Sequence, residues 1–145
     1  MSRNAIVDAV LALLTSTGAF NSYGRRLIAW TKVDSQPAIY VRHIGDHYGP
    51  RGTGMPPKVI MECEAWIYSN AGKDVDVAPS AALADLLDTV EALLKPATGH
   101  PSRAQTLGGA VAHAWIEGKI EIHPGDLDGQ AIAVVPISIL VPVLN

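Results

Sequence analysis

The sequence predicts an α+β fold, an antiparallel or mixed four-stranded sheet with two helices packed on one face, from three observations. Two segments repeat apolar residues at helical spacing, and two others alternate polar and apolar residues with a period of two. The last stretch, residues 131–143, is apolar on both parities and reads as a strand covered on both sides. The elements run helix, strand, strand, helix, strand, strand, with no internal repeat, and residues 1–145 read as a single domain.

Residues 4–17 set Ile6, Val10, Leu13 and Leu14 on one stripe, widened by Val7 and Leu11, and Gly18 stands where a helix commonly ends. Residues 20–33 fit a short strand or irregular chain equally. Pro37 opens Ala38-Ile-Tyr-Val-Arg-His-Ile44, a strand that ends at Gly45. Residues 45–57 hold four glycines and three prolines without periodicity. They predict a long loop, which is either a contact loop, mobile in the free subunit and ordered on docking with Tyr48 and Arg51 as its anchors, or an unstructured connector with no partner.

Residues 58–69 alternate again: Val59, Met61, Cys63, Ala65 and Ile67 share one face, and Ile60, Glu62, Glu64, Trp66 and Tyr68 the other. Pro79 suits a helix's first position, Leu83, Leu86, Leu87, Val90, Leu93 and Leu94 follow at helical spacing, and Lys95-Pro96 closes the run. Residues 108–145 then read as one long hairpin. Its outgoing arm, residues 110–122, alternates small or apolar residues with His113, Trp115, Glu117, Lys119 and Glu121. The turn takes its bend from Pro124, Gly125, Asp126, Asp128 and Gly129.

The net charge of −3 hides an asymmetry: the chain through Lys58 carries +4 and the remainder −7. Either the two parts decorate different solvent faces, or opposite patches meet between neighbouring subunits. With so few basic residues, nonspecific duplex binding is not expected. The single Cys63 leaves no internal disulfide framework and predicts an intracellular setting. Asp8 interrupts the first apolar stretch, and the apolar C-terminal run is shorter than a bilayer span, so neither a signal peptide nor a membrane anchor is expected.

Candidate chemistry is sparse. His43 and His47 flank Asp46 at a spacing that would suit a metal on a helix, but Gly45, Gly49 and Pro50 favour a loop. The run Gly49-Pro-Arg-Gly-Thr-Gly54 lacks the Gly-Lys-Ser/Thr ending of a phosphate loop. Gly125-Asp-Leu-Asp-Gly129 lacks a downstream glutamate for calcium. No nucleophile elbow or Cys/His pairing stands out, so no catalytic residue, metal or cofactor is expected. Trp66, Tyr68 and Trp115 point away from the helix-covered core. Such aromatics among charges anchor protein interfaces, or they cover the sheet's second face within one chain. With Tyr48, Arg51, Asp126 and Asp128 they form the set of interface candidates.

The short N-terminal helix, the Pro37-Ala-Ile-Tyr-Val strand, the leucine-rich helix from Leu83 to Leu94 and the ending Gly125-Asp-Leu-Asp-Gly-Gln-Ala131 with Val135-Pro-Ile-Ser-Ile139 together resemble the tail terminator proteins of long-tailed bacteriophages. These are also called tail completion or minor tail U-like proteins. The resemblance covers nearly the whole chain, and its distinctive residues lie in that ending. It implies a virion subunit, assembled in the host cytoplasm, that forms a homohexameric ring on the head-proximal end of the tail tube. The ring's partners would be the tail tube protein and a head-tail connector or neck protein, with DNA passing through its channel. Two other readings stand beside it: another phage neck protein, such as a head-closure subunit, and a small hydrolase or metal-binding enzyme using His43, Asp46 and His47.

Overall fold

The computed structural model describes residues 2–49, 58–72, 74–96 and 104–141. Helix α1 (Arg3–Thr15) starts one residue before the predicted stripe because the Ser2 hydroxyl accepts the Ala5 N–H at 3.2 Å. The segment left undecided holds a short strand, β1 (Ser22–Gly24), and one 3₁₀ turn, Trp30–Lys32. Strands β2 (Ala38–Tyr48) and β3 (Val59–Asn70) follow, then α2 (Pro79–Leu94), β4 (His113–Ile116), β5 (Glu121–His123) and β6 (Gln130–Val141). Pro79 sits where a missing N–H costs nothing, and Pro96 drives Lys95 to an extended ψ of 146° that ends α2.

The strands form one mixed sheet in the order β1-β2-β3-β6-β4, with β5 also paired to β6. Only the β1–β2 pairing is parallel. Both helices cover the same face. Ile6, Val10 and Leu14 of α1 and Leu83, Val90 and Leu94 of α2 bury against Ile39, Met61, Ile67, Val135 and Ile139 of the sheet. The α+β class holds, and among the described residues the strand count rises from four to six.

Beyond β1, two causes account for the shifted end of β2 and the split of the outgoing arm. β2 does not stop at Gly45 but runs to Tyr48 through a one-residue bulge at Ile44, where the register steps from His43↔Cys63 to Gly45↔Glu62. The bulge reverses the alternation, so His43, Asp46 and Tyr48 all face the helices while His47 faces away. The remainder of the predicted loop, residues 50–57 with Arg51, lies outside the described residues.

The outgoing arm of the terminal hairpin, predicted continuous, is broken into β4 and β5. Glu117 N–H donates to the Pro136 carbonyl at 3.2 Å, so the main-chain groups of Pro136 face this outer strand. Proline has no N–H to return, and opposite it residues 117–120 bow out of the ladder, with Gly118 at φ +100° against the Pro136 ring.

Candidate functional site

The sheet face away from the helices has two halves. Over one half, residues 25–37 form a strap whose Leu27, Ile28 and Val33 pack on Ala38, Tyr40 and Tyr68. Tyr68 is only 3% exposed and donates its hydroxyl to the Ile28 carbonyl at 2.7 Å. Burial raises the pKa of Tyr68 and of Tyr40, whose rings tilt together at 6.0 Å. Tyr68 therefore faces as the alternation predicted, but the chain's own strap covers it, which corrects its reading as an interface anchor.

Among the described residues nothing is strapped over the other half. Ile44, pushed out by the bulge, is 47% exposed, and Ile60, Pro136 and Leu140 are half-buried around it. Ile44, Pro136 and Ser138 line a shallow pocket of about 210 Å³ together with Glu62 and Glu117. Trp66 borders this half, half-buried, donating its indole N–H to Glu64 at 3.3 Å, with the Arg42 guanidinium 6.0 Å from its ring centre and 3.1 Å from the same carboxylate. Trp115 lies across β6 opposite Ser138, stacked on His113 at 5.1 Å and bonded to Glu117 at 3.2 Å. The Gln105 N–H donates to His113 Nδ1 at 3.1 Å, which holds that ring in place.

The remaining candidates lie elsewhere. Tyr48 ends β2 on the helix side, where the Arg3 guanidinium donates to its hydroxyl at 2.9 Å, so it is a pinned strand residue rather than a loop anchor. Asp126 and Asp128 occupy the β5–β6 turn at the opposite end of β3, roughly 35 Å away along the strand. The candidates thus fall into three places and do not compose one site.

The predicted chemical cluster resolves differently. Asp46 accepts from Arg3 Nε at 2.7 Å and from His43 Nε2 at 2.6 Å. Burial raises its carboxyl, but the hydrogen bonds and charges of Arg3 and His43 outweigh that and leave its pKa below the ordinary carboxylate value. His47 lies on the other face and contacts Glu62 at 3.1 Å, so the two histidines cannot converge on one ion. Cys63, opposite His43, is buried, and burial pushes its thiol up to about 12. A thiol held protonated and sealed from solvent is no nucleophile. Among the described residues no three His, Cys, Asp or Glu side chains group to hold a metal ion, and no helix is long and apolar enough to cross a membrane.

Sequence reasoning missed the hub at Gln130. Its side chain is buried and bonds Gln36 of the strap at 2.9 and 3.0 Å and Asn70 of β3 at 3.1 Å, while its N–H donates to Asp128 at 3.0 Å. The only signal was a glutamine opening an otherwise apolar strand. Gly129 closes the same end: its φ is +77°, and a Cβ there would meet the Gly72 carbonyl oxygen at 2.3 Å. The distinctive Gly125-Asp-Leu-Asp-Gly-Gln130 ending is thus a turn locked to the β3–α2 linker.

No protein-family model matches the chain, and no curated protein matches it. Among solved structures it is similar to a chain from the virion of a native gene transfer agent particle, at a TM-score of 0.43 and 16% identity, over 95% of this chain and 88% of that one. A superposition that loose leaves the functional reading to this chain's own residues.

Proposed function

We propose that the chain is a structural virion protein of a long-tailed phage, which forms a ring at the head-proximal end of the tail tube, ends tube growth and receives the head. The half-open second face of the sheet carries this reading. A strand apolar on both sides needs cover on both, and among the described residues the strap supplies it over one half, which leaves Ile44, Ile60, Pro136 and Leu140 as the surface a second chain would cover. Trp66, half-buried and bonded to a carboxylate, borders that opening as amphipathic contacts do, and Trp115 stands on the edge strand β4, where it also lines a cleft with Leu94, Lys95 and Pro96 at the end of α2. The constellation closest to a catalytic one, His43, Asp46 and Cys63, is taken up by a strand-to-helix ion pair and a sealed thiol. The likeness of the Gly125-Asp-Leu-Asp-Gly-Gln ending to tail terminators supplies the place in the particle.

Particles assembled without this chain test the reading. Overlong tails are expected. Leaking heads beside tails of normal length would instead assign the chain to the head-closure side of the neck, and unchanged particles would remove it from the neck altogether.

A further inference from the structure

One end of the molecule exposes apolar residues that no other described residue covers. Leu127, at the tip of the locked turn, and Val75, on the facing linker, are fully exposed, and Val77 is 46% exposed. With Pro79 they line an open cleft of about 270 Å³ between linker and turn. Asp74, Asp126 and Asp128 rim it, Asp76 stands next to it, and none of these four is in an ion pair among the described residues. Counting Lys73, the linker (71–79) and turn (124–130) carry −3.

The strap has the complementary character. It carries +2 over residues 25–37 and shows solvent an aromatic ring, Trp30, between Arg26 and Lys32. Arg25 is engaged with Asp8 at 3.2 Å, whereas Arg26 and Lys32 are in no ion pair among the described residues. The strap lies over the sheet's second face, and the cleft lies at the sheet's end beside the start of α2. Two complementary surfaces on different sides of one chain pair head to tail, each copy giving one and receiving the other.

We propose that the acidic, apolar cleft around Leu127 receives the strap residues Arg26, Trp30 and Lys32 of a second copy of this chain. The inference rests on the ring-forming reading and names the contact by which neighbours join. Trp30 supplies the apolar anchor, and the two cations meet Asp74 and Asp126. The locked turn makes the cleft rigid before contact, which reduces the entropy lost on pairing.

Disulfide trapping in the purified full-length chain tests it. Lys32→Cys and Asp126→Cys are placed on separate chains, mixed and oxidised; both positions are exposed, and the sealed Cys63 adds no background exchange. The control replaces Asp126→Cys with Glu91→Cys, exposed on α2. The expected result is roughly tenfold more cross-linked dimer than in the control, falling toward the control in about 1 M salt, where charges are screened beyond about 3 Å. A chain carrying both substitutions should give a ladder of multimers. Equal yields for the two pairs, a yield indifferent to salt, or Asp126→Cys linking preferentially to itself would each overturn the contact. Trapping reads the contact in the isolated chain and tail length reads the role in the particle, so each can fail while the other stands.

Discussion

Arg3, in the first turn of α1, donates to Asp46, 43 residues later and just past the β2 bulge, at 2.7 Å. The bulge is what makes this contact. Were Ile44 paired regularly, with no bulge, the alternation of β2 would turn Asp46 to the other face, out of reach of the helix.

Asp46→Asn should therefore lower the stability of the fold at neutral pH, with the loss kept small by the solvent around its exposed Arg3 partner. The pH dependence follows from the depressed carboxyl. A group whose folded pKa lies below its unfolded value stabilises fully above the unfolded value, near 3.8, and loses that contribution as pH falls through the folded one. Denaturant midpoints across the acid range should converge for the two proteins at the lowest pH. A gap that stays constant as pH falls would contradict the ion pair.

Tyr68→Phe removes one hydroxyl and leaves the Ile28 carbonyl without its donor. The expected loss is roughly 0.5–1.5 kcal/mol, with faster hydrogen exchange confined to the strap, residues 25–37. Assembly should be unchanged. An assembly defect without loss of stability would return Tyr68 to the set of contact residues.

Trp66→Ser and Trp115→Ser should impair assembly more than folding, because both rings are half-buried, Trp66 beside the open half-face and Trp115 on the edge strand against the end of α2. Thermal unfolding of the isolated chain should register less than the roughly 3–5 kcal/mol that emptying a core aromatic site costs. A loss of that full size would make them ordinary core residues.

Gly129→Ala and Gly18→Ala make a matched pair, since both glycines have positive φ, +77° and +73°. At Gly18 the space around the new Cβ is open, and only the left-handed conformation costs, roughly 1–2 kcal/mol. At Gly129 the same atom meets the Gly72 carbonyl at 2.3 Å, so linker or turn must move and the loss should be larger. Equal midpoints in urea would show that the turn is not locked to the linker.

The faces of the fold were legible because they are local. The alternation from Val59 to Ile67 decides which side chains meet the helices, and the leucine spacing of α2 decides which stripe meets the sheet. What covers a face is not local. Tyr68 points where its parity places it, yet only the return of residues 25–37 over the sheet decides that it is sealed while Ile44 is not. The bulge left one mark, Gly45, and a glycine inside a strand pattern fits a bulge as well as the strand end read from it. The contacts of Gln130 with Gln36 and Asn70 span 94 and 60 residues, separations at which spacing says nothing.

The break in the outer strand opposite Pro136 has a consequence for crowding. An unbroken sheet edge is a template on which further strands can add, and a protein made in many copies before its scaffold exists would be exposed to that route into cross-β fibres. Here one margin offers only the four residues of β4 and the three of β5, separated by a bowed segment carrying Lys119. The other offers the three residues of β1 and then a β2 edge interrupted at Ile44. Among the described residues neither margin gives a newcomer a long straight ladder, the geometry that edge-to-edge strand addition needs.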